Sequence, residues 1–75
     1  MDKKRKIRLS EAEEVKEFVR AAEQCEFDID VFYNRMVIDA KSILGVFSLD
    51  LTQILTVRYG GENENFEQTL DKFAA

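Results

Sequence analysis

The side chains able to do chemistry in this 75-residue chain are carboxylates, hydroxyls, amines and one thiol, because the chain contains no histidine. Histidine is the side chain whose ordinary pKa lies nearest neutrality, so imidazole general-base catalysis, phosphohistidine chemistry and imidazole metal ligation are all excluded. Three carboxylates, Glu11, Glu13 and Glu14, crowd one short stretch. A carboxylate can act as a covalent nucleophile. A transferring phosphoryl group, however, needs cationic or metal stabilisation, and no Lys or Arg lies between Arg8 and Lys16. Cys25 is the only cysteine. It can form no internal disulfide, reads as a small core residue rather than a reactive thiol, and fits a reducing cytoplasm. The sequence offers no paired base, metal-ligand set or glycine-rich phosphate loop, so no metal or cofactor is expected.

The net charge of −4 argues against nucleic acid as a partner, since neutralising phosphates needs a concentrated basic surface. The basic run Lys3-Lys4-Arg5-Lys6 is followed closely by acids and reads as the solvated start of a strand. No apolar run approaches the roughly 20 residues of a membrane span, and no apolar segment of signal-peptide type stands at the charged start. The expectation is one cytoplasmic domain over residues 1–75, without membrane contact.

These residues must be held by a small set of elements. Residues 4–9 end in alternation, with Ile7 and Leu9 inward and Lys6 and Arg8 outward, which predicts a strand. Ser10 and Glu13 have capping-box spacing, and Val15, Phe18, Val19 and Ala22 recur at helical period, predicting a helix over about 11–25. The period then drops to two: Phe27, Ile29, Val31 and Tyr33 alternate with Asp28, Asp30 and Phe32, predicting a strand over 27–33. Asn34-Arg35 suits a hairpin turn, and Met36, Ile38 and Ala40 continue inward on a second strand. Ser42 caps a short apolar helix. Leu55, Val57 and Tyr59 mark a fourth strand, which Gly60-Gly61 ends. Phe66, Leu70 and Phe73 mark a last helix running nearly to Ala75. The order β-α-β-β-α-β-α predicts a two-layer α+β domain, an open-faced sandwich with three helices on one side of an antiparallel four-stranded sheet. The other side should carry Lys6, Arg8, Asp28, Asp30 and Arg58, with opposite charges able to pair across strands.

The stretch Asp39-Ala-Lys-Ser-Ile-Leu-Gly-Val-Phe-Ser-Leu49 resembles the regulatory-serine segment of HPr, the small phosphocarrier family of the bacterial sugar phosphotransferase system. The matching residues are Lys41, Ser42, Ile43, Gly45, Val46, Ser48 and Leu49, and the element order is also that of the HPr fold. The resemblance implies strand order 1-4-2-3. It also exposes a departure. The family carries phosphate on a histidine at the start of its first helix, followed closely by an arginine and a proline. Counting back from Ser42 without gaps, these positions fall on Glu11, Glu13 and Glu14. Carboxylates there would repel an incoming phosphoryl group. Glu11 could instead imitate the charge of a phosphorylated histidine, or the acids could simply cap a helix and favour its dipole.

The resemblance implies that Ser42 is a candidate for regulatory phosphorylation by a serine kinase, with a transcriptional regulator or phosphotransferase-system components as partners. The plainer reading of Ser42 is a structural cap. Ile43, Leu44 and Phe47 are the candidate partner patch, whereas Val46 and Leu49 read as core. The function expected is that of an HPr-like protein without histidine phosphotransfer, hence not an enzyme, acting by protein binding. The rivals are an interaction module that keeps only the fold, and a carboxyl-phosphate carrier using Glu11.

Overall fold

A computed structural model describes residues 2–75. Seven elements follow in the expected order: β1 (Lys3–Ile7), α1 (Ala12–Glu23), β2 (Ile29–Tyr33), β3 (Met36–Asp39), α2 (Ile43–Phe47), β4 (Leu55–Tyr59) and α3 (Glu64–Lys72). The strands form one antiparallel sheet in the order β1-β4-β2-β3, the order the resemblance implies. Ile7, Leu55, Val57, Tyr59, Ile29 and Val31 point to the helix side and are buried with Val15, Phe18, Val19 and Ala22 of α1, Val46 of α2 and Phe66 and Leu70 of α3. Three aromatic rings tie the layers: Tyr59 meets Phe66 edge-on at 5.3 Å, and Phe66 meets Phe18 at 6.0 Å between centroids. Such pairs contribute about 0.5–1.5 kcal/mol beyond their burial.

The hairpin turns at Asn34, the one non-glycine residue with positive φ (55°) among the described residues. Tyr33 pairs with Met36 across it, as a two-residue turn requires.

Several boundaries differ from the sequence expectation, each for a local reason. β1 ends at Ile7, because the Arg8 amide turns to the Phe73 carbonyl; Leu9 is nevertheless fully buried. α3 stops at Lys72, and the chain beyond it swings back so that Ala74 bridges Ile7 and the Ala75 amide bonds the Lys6 carbonyl. β2 begins at Ile29; Phe27 lies before it and stacks on Tyr59 at 6.1 Å. Met36 lies on the helix-side face, as alternation predicts, but is 46% exposed instead of buried, because it stands at the hairpin end of an edge strand.

The open face is also redistributed. Register places Lys4, Lys6, Thr56, Arg58, Asp30, Phe32, Val37 and Asp39 there, while Arg8 and Asp28 lie beyond the strand ends. The expected cross-strand pair forms, with Arg58 Nη2 donating to Asp30 Oδ2 at 2.9 Å. The basic run is not uniformly solvated. Alternation turns Lys3 and Arg5 to the helix side, where Arg5 donates to Glu67 Oε1 at 3.2 Å and to Asp71 Oδ1 at 2.6 Å.

Candidate functional site

Two helix starts bear the residues of interest. At α1 the N-cap is Glu11, in extended conformation and without a side-chain cap hydrogen bond. The capping box predicted between Ser10 and Glu13 does not form. Ser10 stands one residue before the cap, and its amide and hydroxyl both donate to Glu14 Oε1, at 2.7 and 3.0 Å. These bonds, the amide's first, hold the Glu14 carboxyl below its ordinary range. Glu13 turns outward and meets Lys16 Nζ at 3.5 Å. The helix start thus carries three carboxylates, of which one is committed to the backbone, one to a lysine, and Glu11 to neither. Lys72 of α3 approaches the same start but is engaged, donating to both oxygens of Glu17, 2.9 Å from each.

At α2 the cap is as predicted. The Ser42 Oγ accepts from the Gly45 amide at 3.2 Å, and the residue is exposed. Ser48 closes the other end, its hydroxyl donating to the Gly45 carbonyl. Of the five helix residues only Val46 is buried. Leu44 is 81% exposed, with Ile43 and Phe47 each at 38%, while Leu49 turns inward at 4%. Gly45 is needed by the packing, since a Cβ there would stand 2.6 Å from the Ile38 Cγ2 methyl.

One feature was not seen in the sequence. Lys41 reaches across from the residue before the cap and donates to the Cys25 carbonyl at 2.9 Å, just beyond the end of α1. A cation at a helix C-terminus is favoured by the helix dipole, so this contact clasps α2 to α1. Between the two helices runs a groove of about 290 Å³ lined by Lys16, Val19, Arg20, Glu23, Lys41 and Ile43. Its α1 residues recur at i, i+3, i+4 and i+7; the Lys16/Arg20 pair at i, i+4 was the signal available. Cys25 is buried nearby, its Sγ 3.5 Å from the Ala21 carbonyl, and burial pushes its thiol pKa up. It is the small core residue expected. No group of three potential ligands that could hold a metal occurs among the described residues, and no described helix is long and apolar enough to cross a membrane.

The model of the family described as "PTS HPr component phosphorylation site" matches residues 10–75. The chain belongs to the HPr family. Among solved structures, it is similar to the phosphocarrier protein HPr of Bacillus anthracis, at 23% identity over 97% of this chain and 95% of that one, with TM-score 0.72. It is equally similar to HPr-C-His of Thermoanaerobacter tengcongensis, at 23% identity over 96% and 88%, with TM-score 0.73. At that identity the structures speak for the fold. No curated protein matches the chain. The matched stretch opens at Ser10 and includes Glu11, the N-cap of α1.

Proposed function

We propose that this HPr-family protein has lost histidine phosphotransfer and works by binding other proteins, with Ser42 as a regulatory phosphorylation site. The observation that carries the reading is Glu11 at the α1 N-cap in a chain without histidine. Three carboxylates at one helix start disfavour an incoming phosphoryl group, and Lys16 and Lys72 are engaged with Glu13 and Glu17. The same geometry argues against Glu11 as a carboxyl-phosphate carrier and against an enzyme.

Ser42 is exposed and caps a helix whose Leu44, Ile43 and Phe47 side chains face solvent. A phosphate there would meet the α2 amides and stand next to Lys41, an arrangement that accommodates anions. The apolar residues beside it, with Lys16 and Arg20 across the groove, give the apolar centre and polar rim of a transient interface. The partners in this reading are phosphotransferase-system components, a serine kinase or a transcriptional regulator, and the location is cytoplasmic. The second reading, an interaction module without phosphorylation, draws on the Ser42 hydroxyl already serving as a cap.

Intact-mass measurement separates them. With phosphoenolpyruvate and the first enzyme of the phosphotransferase system, no mass gain is expected; a gain abolished by Glu11→Gln would overturn the loss of transfer. With an HPr serine kinase and ATP, one phosphate is expected, abolished by Ser42→Ala. A gain that survives Ser42→Ala moves the site elsewhere, and no gain in either reaction favours the module without phosphorylation.

A further inference from the structure

The sheet face away from the helices carries an ordered charge pattern. Register sets Lys4, Arg58, Asp30 and Asp39 in one row across β1, β4, β2 and β3. The row therefore reads plus, plus, minus, minus from one edge to the other. The adjacent row is Lys6, Thr56, Phe32 and Val37. Within it Val37 is 57% exposed, and Phe32 lies half-buried beneath the Arg58 guanidinium, 5.5 Å from its centroid. Arg58 and Asp30 pair with each other inside the row, but among the described residues no carboxylate lies within ion-pair reach of Lys4 or Lys6.

A row that is antisymmetric in charge is complementary to its own image. We propose that this open sheet face is a self-association surface whose occupant is a second copy of the chain, packed face to face about a two-fold axis running parallel to the strands between β4 and β2. That axis exchanges the β1 side with the β3 side and keeps each row at its own height. Lys4 of each copy then meets Asp39 of the other, Arg58 meets Asp30, and Thr56 and Lys6 cover Phe32 and Val37. The contact is isologous, each close pair occurring twice, and sheets packed this way keep their strands roughly aligned. The helices lie on the opposite side, so α2 and Ser42 stay accessible in the dimer.

The face is small. Four strands about 4.8 Å apart and five residues at about 3.3 Å per residue make a footprint of roughly 19 by 16 Å, below the standard size of a stable interface. The dimer is therefore weak and concentration-dependent. One element opposes it. Asp2 and Asp28 lie at the row end beyond Lys4 and Asp30, and the same axis brings them to neighbouring strand positions as like charges. Replacing Asp2 with asparagine should tighten the dimer.

The test is sedimentation velocity of the full chain between about 0.01 and about 1 mM, the range a sub-standard interface calls for, at low and high salt. The dimer fraction is expected to rise with concentration and fall with salt. Lys4→Asp and Asp39→Lys should each weaken association about tenfold or more, because two symmetric pairs become repulsive. Mixed one to one, the two variants should dimerise again, since each restores the other's opposite charge. A wild type that stays monomeric at the highest concentration overturns the proposal, and so does a mixture no more associated than its components. Because Asp39 also accepts from the Lys41 amide, a second measurement needs no variant: amide shifts of the wild type on dilution should fall on Asp30, Phe32, Val37, Thr56 and Arg58. Shifts on α1 and α2 instead would assign the contact to the Ser42 surface and overturn it equally.

Discussion

The Tyr59 hydroxyl donates a 2.6 Å hydrogen bond to Glu67 Oε2, joining the centre of the sheet to the helix above it. Glu67 also receives Arg5 and stands within 3.9 Å of Lys3, so one carboxylate gathers β1, β4 and α3. Burial first, then the bond to Glu67, pushes the Tyr59 pKa up to about 12. The folded state thus holds its phenolic proton more tightly than the unfolded chain, whose tyrosine ionises near 10. This contribution is complete below pH 10 and is lost as pH rises toward 12. Thermal unfolding across that window should show a stability loss that Tyr59→Phe flattens. At neutral pH the same substitution should cost about 1.5–3 kcal/mol, the range for a hydrogen bond to a charged group. An unchanged alkaline slope in Tyr59→Phe would remove Tyr59 as its source.

Ser42→Ala removes the acceptor for the Gly45 amide and should cost about 1 kcal/mol. Ser42→Asp keeps an acceptor and adds charge where the dipole favours it, so its stability should match or exceed that of wild type. Denaturant titration of the three proteins gives the order directly.

Gly45→Ala sets two effects against each other. Alanine is favoured in a helix by about 1 kcal/mol, but its Cβ would press on the branched Ile38 side chain 2.6 Å away and on Ser42 Oγ at 3.1 Å. Ile38 is stiff at χ1, so overpacking should win and leave a net loss of about 1–2 kcal/mol. A stabilised variant would show that β3, an edge strand, yields easily.

Acid should loosen the start of α1. The Glu14 carboxyl is held below its ordinary range by the Ser10 amide and hydroxyl. Its contribution is present above the unfolded-state pKa and disappears as pH falls through the folded value. Hydrogen exchange at the Ser10 amide should therefore speed up in acid beyond its intrinsic trend, and Glu14→Gln should show the faster exchange already at neutral pH.

What the sequence could and could not tell follows from the range of each interaction. The switch from helical to strand period between Ala22 and Phe27 is local, and so is the left-handed preference of Asn34; both were legible. The Ser42 cap was legible because serine stood before the apolar run and Gly45 three residues on. At α1 the competition was among neighbours: Glu11, Glu13 and Glu14 offered three acidic alternatives within one turn, and spacing alone chose Glu13 where the Ser10 bonds chose Glu14. The pairing of Arg5 with Glu67 and Asp71 spans more than 60 residues. It exists only because β1 lies beside β4 under α3, so no local pattern could signal it. The Lys41 reach to Cys25 was hidden for the same reason. Met36 misled because alternation reports which face a side chain takes, not whether anything covers that face at an edge.

The strand of contacts from Phe73 to Ala75 along β1 has a consequence for larger assemblies. It occupies backbone groups from Lys6 to Arg8 on that side of the sheet, whereas β3 on the other side presents Met36 and Val37 largely uncovered. A sheet with two free edges can add molecules at both ends and grow into a filament, because each addition exposes a new template. Among the described residues the β1 margin is occupied from Lys6 to Arg8, whereas along β3 the Asp39 carbonyl, which accepts from the Ser42 amide, is the engaged group. Joining two β3 strands would use up both open edges and leave the blunted β1 margins outermost, so lateral growth would terminate at a pair and not propagate as a polymer.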